Sequence, residues 1–186
     1  MKTEFDLLHD KMVFDFLDLY PTTASYLGLK KYNDRCEISI SKTHILKEEK
    51  LVNKYLTDLK KVKKWIKDEK QKINCLACLL ILKDMKKVID SELSVRSKPI
   101  RKLNMVPYSL LPLNQMDSPI QFLIDIINED YYKIKDEDDF KDLISKLKDF
   151  NKWFEVAIEN MRLGMKNKIV LPKVIANEVL KTIIML

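Results

Sequence analysis

Glycine is nearly missing from this chain, with two residues in 186. Glycine supplies the backbone freedom of tight turns and phosphate-cradling loops, so a sequence without one Gly-x-Gly pair is not built around a glycine-rich nucleotide site. Histidine is equally scarce. His9 and His44 are the only two, and neither is followed at helical spacing by a second histidine with a glutamate between, so the chain carries no zinc-peptidase motif. Each reads as a partly exposed helix-surface residue. Three cysteines, Cys36, Cys75 and Cys78, are too few and too uneven for a disulfide framework, which agrees with a reducing compartment. Cys75-Leu-Ala-Cys78 has the spacing of a metal or redox pair, but it sits inside the apolar run INCLACLLIL with no second close pair, and reads as two small buried side chains. No Gly-x-Ser-x-Gly elbow is present. The N-terminus, MKTEFDLLHDKMVFDF, interleaves acidic with apolar residues, so it is neither a signal peptide nor a span; a cytoplasmic location and no membrane partner are expected.

What the chain has in quantity is helix-forming sequence. At 46% hydrophobic and 33% charged residues it is long enough for one globular domain with a sizeable core. Thr3 is placed to cap a first helix through Phe5, Leu8, Met12, Phe16 and Leu19, which Pro21 stops. Pro21 suits the first position of a short second helix and Gly28 its left-handed end, with a turn at Asn33 and Asp34. From about Lys42 to Lys67, Ile45, Val52, Leu59 and Ile66 recur every seven residues, with Tyr55 and Val62 three after two of them, the seam of a long helix on a partner helix. Asp68 and Gln71 resemble a capping box opening the partner, through Ile73, Leu76, Leu80, Met85 and Val88. The two are expected to form an antiparallel hairpin.

Four of the six prolines fall between Lys98 and Pro119, which forbids a continuous helix there and predicts an extended crossover. Ser118 and Pro119 then start a short helix. Asp136 begins a long one in which Phe140, Leu143, Leu147, Phe150, Phe154, Ala157 and Met161 keep helical spacing; Gly164 and the MKNK segment weaken or end it, and Pro172 opens a last apolar helix. The expected fold is therefore all-α, a single domain over 1–186 of about six or seven helices, with long antiparallel pairs. Its N-terminal half is 1–97, its proline-rich crossover 98–119 and its C-terminal half 120–186.

The formal charge of +6 is a modest excess in which lysine outnumbers arginine. Lys60, Lys61, Lys63, Lys64 and Lys67 with Trp65 form the one basic patch with an aromatic among them, although Asp58, Asp68 and Glu69 dilute its field. A solvated helix face is the ordinary reading of such a run. The functional one is an interaction module that binds an acidic protein or nucleic acid through this lysine-rich hairpin, and the preference for lysine weakens the nucleic-acid version.

Three segments carry more. Tyr20-Pro-Thr-Thr-Ala-Ser-Tyr-Leu-Gly-Leu followed by Tyr32-Asn-Asp-Arg35, then Leu111-Pro-Leu-Asn-Gln-Met116, then Ile158-Glu-Asn-Met-Arg-Leu-Gly164 with Leu171-Pro-Lys-Val174, resemble in order the N-terminal region of the DUF885 family, helical zinc metallopeptidases of gluzincin type. Both glycines fall inside these motifs. The resemblance implies that the zinc-binding His-Glu motif belongs to a C-terminal part beyond the matched region, so no catalytic or metal residue and no cofactor is expected in these residues, with zinc present only where that part is. It further implies that the helices form one wall or lid of a peptide-binding cleft, with a peptide or the family's catalytic region as partner. Asn114 and Gln115 suit hydrogen bonding to an extended peptide or to backbone groups orphaned by the prolines, and Arg162 and Lys173 suit a substrate carboxylate or simple helix ends. The apolar terminus VIANEVLKTIIML suits self-association.

Overall fold

A computed structural model of the chain describes residues 2–97, 134–168, 170 and 172–184. Six α-helices lie along them: α1 Glu4–Leu19, α2 Pro21–Tyr26, α3 Lys42–Val62, α4 Glu69–Ser97, α5 Glu137–Lys166 and α6 Lys173–Ile184. Short 3-10 turns occupy Lys30–Tyr32 and Lys63–Trp65, and no strand occurs among the described residues, so the protein is all-α as expected. The crossover 98–119, with Asn114 and Gln115, and the short helix expected from Pro119 lie outside the described residues.

The first helix starts as its sequence dictates. The Thr3 hydroxyl accepts from the Asp6 backbone N–H at 3.2 Å and the Asp6 carboxylate accepts from the Thr3 N–H at 2.9 Å, a reciprocal capping box that satisfies two orphaned donors. Pro21 occupies the first position of α2, and the chain leaves that helix through Gly28 at φ +84°, a left-handed backbone that L side chains rarely adopt. Every residue of the expected heptad seam is buried, Ile45, Val52, Tyr55, Leu59 and Val62 on α3 and Ile66 just past the 3-10 turn that follows it. Each of the larger ones contributes roughly 1.5–3 kcal/mol by leaving water, so this seam dominates the first half's stability.

Across the seam, Cys75 Sγ lies 3.8 Å from the Leu59 carbonyl and Lys86 pairs with Glu49 at 2.8 Å, so α3 and α4 are antiparallel. Asp15 on α1 accepts from the Tyr55 hydroxyl at 2.5 Å and from Lys54 at 2.9 Å. Gln71 at the start of α4 donates to Thr3 Oγ1 at 3.0 Å and Asp6 Oδ1 at 3.2 Å. These ties make a three-helix bundle with α1 and α4 parallel and α3 opposed to both. They also revise one expectation: Asp68 does cap the Gln71 N–H at 2.8 Å, but the Gln71 side chain spans to α1 rather than folding back.

The face of α4 differs from the stripe expected for it. Cys75, Leu79, Leu82 and Ile89 are buried, whereas Ile73, Leu76 and Leu80 are exposed. INCLACLLIL is apolar nearly all the way round, so periodicity cannot select a face, and the small thiol of Cys75 is what fits against α3.

Asp136 caps α5 by accepting from the Asp139 N–H at 2.8 Å, with three acidic residues in the first turn, as the helix dipole favours. The buried side of α5 is Asp139, Lys146, Phe150, Trp153, Ala157, Asn160 and Gly164, sharing Phe150 and Ala157 with the expected stripe but rotated from it, and Phe140 is exposed. Gly164 stays within the helix. The end falls in the MKNK segment, where Lys168 takes φ +59° and its N–H bonds to the Met165 carbonyl at 3.1 Å. This face of α5 lies along the non-helical segment after α2: Lys30 pairs with Asp139 at 3.0 Å, Cys36 Sγ approaches the Lys146 carbonyl at 3.9 Å, and Asn160 Nδ2 donates to the Ile40 carbonyl at 3.0 Å. Ile40, Trp153 and Ala157 form a small core there.

Candidate functional site

Among the described residues, a polar cleft opens where α1 ends and α3 begins. Pro21 starts a new helix, so α1 stops at Leu19, and Tyr20 turns the chain with φ −119° and ψ 67°. Ser41 caps α3 by accepting from the His44 N–H at 3.1 Å, which fixes His44 in the first turn. Between these ends lies an open cavity of about 440 Å³, lined by Asp18, Pro21, Glu37, Ser41, His44 and Lys47 among others.

Each polar group there is placed by a neighbour. Glu37 accepts from the Thr22 backbone N–H at 3.0 Å, satisfying a donor at the start of α2. Asp18 accepts from the Tyr32 hydroxyl. Tyr20 sets its ring edge-on to His44 at 5.0 Å between centroids. His44 is 8% exposed and its Nε2 has no hydrogen-bond partner. Burial pushes its pKa below the ordinary imidazole value, with Glu37 pulling upward and Lys47 downward, so the ring is held neutral. One turn on, Glu48 is equally buried; burial raises its pKa and the Tyr20 hydroxyl bonded to it works the other way.

This arrangement can donate and accept hydrogen bonds and offers charge of both signs, but no nucleophile is activated. The Cys36 thiol is pushed up to about 12 by burial, with Asp149 and Glu37 adding to the shift. Cys75 and Cys78 are likewise raised, chiefly by burial, which suits the reading of that pair as packed thiols rather than reactive ones. The two histidines stand apart. His44 contacts Tyr20, while His9 lies eleven residues back along α1, about 16 Å at the helical rise. Among the described residues no three His, Cys, Asp or Glu side chains gather to hold a metal ion.

The residues singled out from sequence are dispersed. Arg162 is exposed on α5 in its last turns, and Lys173 is exposed as the first residue of α6; neither lines the cleft. Asn114 and Gln115 lie outside the described residues. The lysines are where the sequence puts them: Lys60 and Lys61 in the last turn of α3, Lys63 and Lys64 in the 3-10 turn and Lys67 just beyond, all exposed at one end of the bundle. Expected on the surface, His44 is instead buried. With Glu48 it was legible in principle, because Glu48 sits three residues after Ile45 and four before Val52, inside the same buried stripe. A charged residue at a seam position signals a polar contact across the seam.

Among the described residues no helix is long and apolar enough to cross a membrane. No curated protein and no solved structure matches the chain. A family model described as a bacterial protein of unknown function, DUF885, matches residues 21–184, which includes the cleft residues from Pro21 to Lys47 and the described helices α5 and α6, and on that match the chain belongs to the DUF885 family.

Proposed function

We propose that this chain forms a helical wall of a peptide-binding cleft and does not itself cleave. The observation that carries the reading is the family match from Pro21 to the last helix, whose first motif contributes Pro21 to the polar cleft that His44 also lines. A neutral imidazole, a carboxylate fixed by a backbone N–H and an exposed ammonium suit the donors, acceptors and charged ends of an extended peptide. The two histidines stand at no zinc-peptidase spacing, so water activation by a metal has no ligand set in this sequence.

The test is a titration of isotope-labelled full-length chain with short unmodified peptides, followed residue by residue in solution NMR. Shifts concentrated at Glu37, His44 and Lys47, with Asn114 and Gln115 moving alongside, are expected. Shifts confined to Arg162 and Lys173, or none, would sink the cleft. Hydrolysis of the same peptides on adding zinc would overturn the non-catalytic part.

A further inference from the structure

We infer that the lysine-rich end of the bundle is a docking surface for an anionic membrane surface, with Trp65 as the side chain that enters the headgroup layer. This inference is independent of the peptide cleft, which lies at the opposite end of α3. Trp65 is 77% exposed, a costly place for the largest apolar side chain unless something covers it, while the other tryptophan, Trp153, is 5% exposed in the core. The reason for its exposure is geometric. The heptad seam buries Val62 and Ile66, and Trp65, in the 3-10 turn between them, stays exposed at the rim of the recess they share.

The charge around it is unbalanced in a way that the composition conceals. Glu4 apart, the nearby acids are already engaged: Asp58 with Lys61 at 3.9 Å, Glu69 with Lys72 at 2.6 Å, and Asp68 as the cap of α4. From α1, Asp6 is bound by its own capping box and by Gln71, and Glu4 borders the apolar recess of about 300 Å³ that Phe5, Val62, Trp65 and Ile66 line. Lys60, Lys63, Lys64, Lys67 and Lys70 are left with no carboxylate within ion-pair distance among the described residues.

An exposed indole flanked in sequence by exposed, point-like ammonium groups matches a plane that is anionic at its surface and apolar just beneath. Nucleic acid is the poorer match, because lysine lacks the bidentate fork that reads phosphate and base edges, and a single exposed aromatic stacks one base. Peripheral attachment needs no spanning helix, so the lack of an apolar run does not weigh against it.

The experiment is co-sedimentation of the full chain with vesicles of phosphatidylcholine containing about 30% phosphatidylserine, paired with tryptophan fluorescence, at the low ionic strength where surface charge acts over about 10 Å or more. Binding to the anionic vesicles, none to pure phosphatidylcholine, and a blue shift of the emission are expected. The shift reports Trp65, since Trp153 is already enclosed. Replacing Lys60, Lys63, Lys64 and Lys67 together by Gln lowers partitioning by about a hundredfold or more, and Trp65→Ala lowers it by about tenfold and abolishes the shift. All of these positions are exposed, so circular dichroism is expected to stay unchanged. No binding to anionic vesicles, binding without a blue shift, equal binding to neutral vesicles, or tighter binding to a single-stranded oligonucleotide or to polyglutamate overturns the inference.

Discussion

The bundle of α1, α3 and α4 and the seat of α5 are held by different chemistry. In the bundle the buried face is mostly a stripe of Ile, Val, Leu and Tyr meeting a second helix, with Glu48 the charged residue within it, and ties such as Asp15 with Tyr55 stay at its margin. In the seat of α5, buried Asp139, Lys146 and Asn160 alternate with Phe150, Trp153 and Ala157. The cause is the partner. A helix satisfies its own backbone and presents only side chains, whereas the segment from Lys30 to Ser41 leaves N–H and C=O groups that the facing helix has to meet. Asn160 meets the Ile40 carbonyl, and Lys146 reaches the Ser25 hydroxyl at 3.2 Å although burial lowers its pKa. Apolar seams are therefore chosen for packing and polar seams for satisfaction, and their failures differ in size.

The largest effect is expected in the bundle. Leu59→Ala removes a fully buried side chain and leaves a cavity, costing about 3 kcal/mol, read as a lower urea midpoint with an unchanged slope. A loss under about 1 kcal/mol would show that the seam can collapse around the gap and that the distinction between the regions is weaker than drawn.

Next is a pH effect confined to the α5 seat. The folded state holds the Cys36 thiol protonated up to about 12, whereas the unfolded chain loses that proton near 9.0. The native state binds more protons in this window, so its contribution is complete below 9 and falls away as pH rises toward 12. Discounted for the solvent that Cys36 still meets, the loss is roughly 1–2 kcal/mol. Stability measured at neutral and alkaline pH is expected to fall less in Cys36→Ala than in the parent; an equal fall in both would remove Cys36 from the seat's energetics.

The smallest is Asn160→Leu, which keeps the branched shape but not the polarity and deletes one hydrogen bond to the Ile40 carbonyl, costing about 1 kcal/mol. Amide hydrogen exchange sharpens it: protection is expected to drop in α5 while α3 keeps its own. An equal drop in both would mean that the two regions open as one cooperative unit, whatever their chemistry.

How much of this could be read from residues follows the same division. The apolar positions of the α3 seam were legible to the residue, because side chains at seven-residue spacing had one face to choose, and the cap at Thr3, the acidic helix start around Asp136 and the left-handed Gly28 followed from local rules. On α4 the apolar character of Ile73, Leu76 and Leu80 pointed to a face that the structure leaves exposed, since Cys75 and Leu79 competed for it equally well. On α5 a hydrophobic criterion could not count Lys146 and Asn160 as buried, so the stripe came out rotated. For the candidate site the gap was wider. Periodicity carries no information on which side chains from α1, the turn and α3 converge, and His44 passed for a surface residue because its partner ring, Tyr20, is remote in sequence.

One further consequence comes from how far apart in the chain the α5 contacts are. Lys30 to Asp136, Cys36 to Lys146 and Ile40 to Asn160 are separated by 106, 110 and 120 residues, whereas Cys75 lies 16 residues from Leu59. During synthesis at roughly 5–20 residues per second, α3 and α4 can pair before any of α5 is made, and the segment before Ser41 waits seconds longer for the helix that covers it. Throughout that interval its carbonyls and Ile40 are open to other chains, which makes this stretch, and not the apolar bundle, the place where a nascent molecule is most exposed to misassembly.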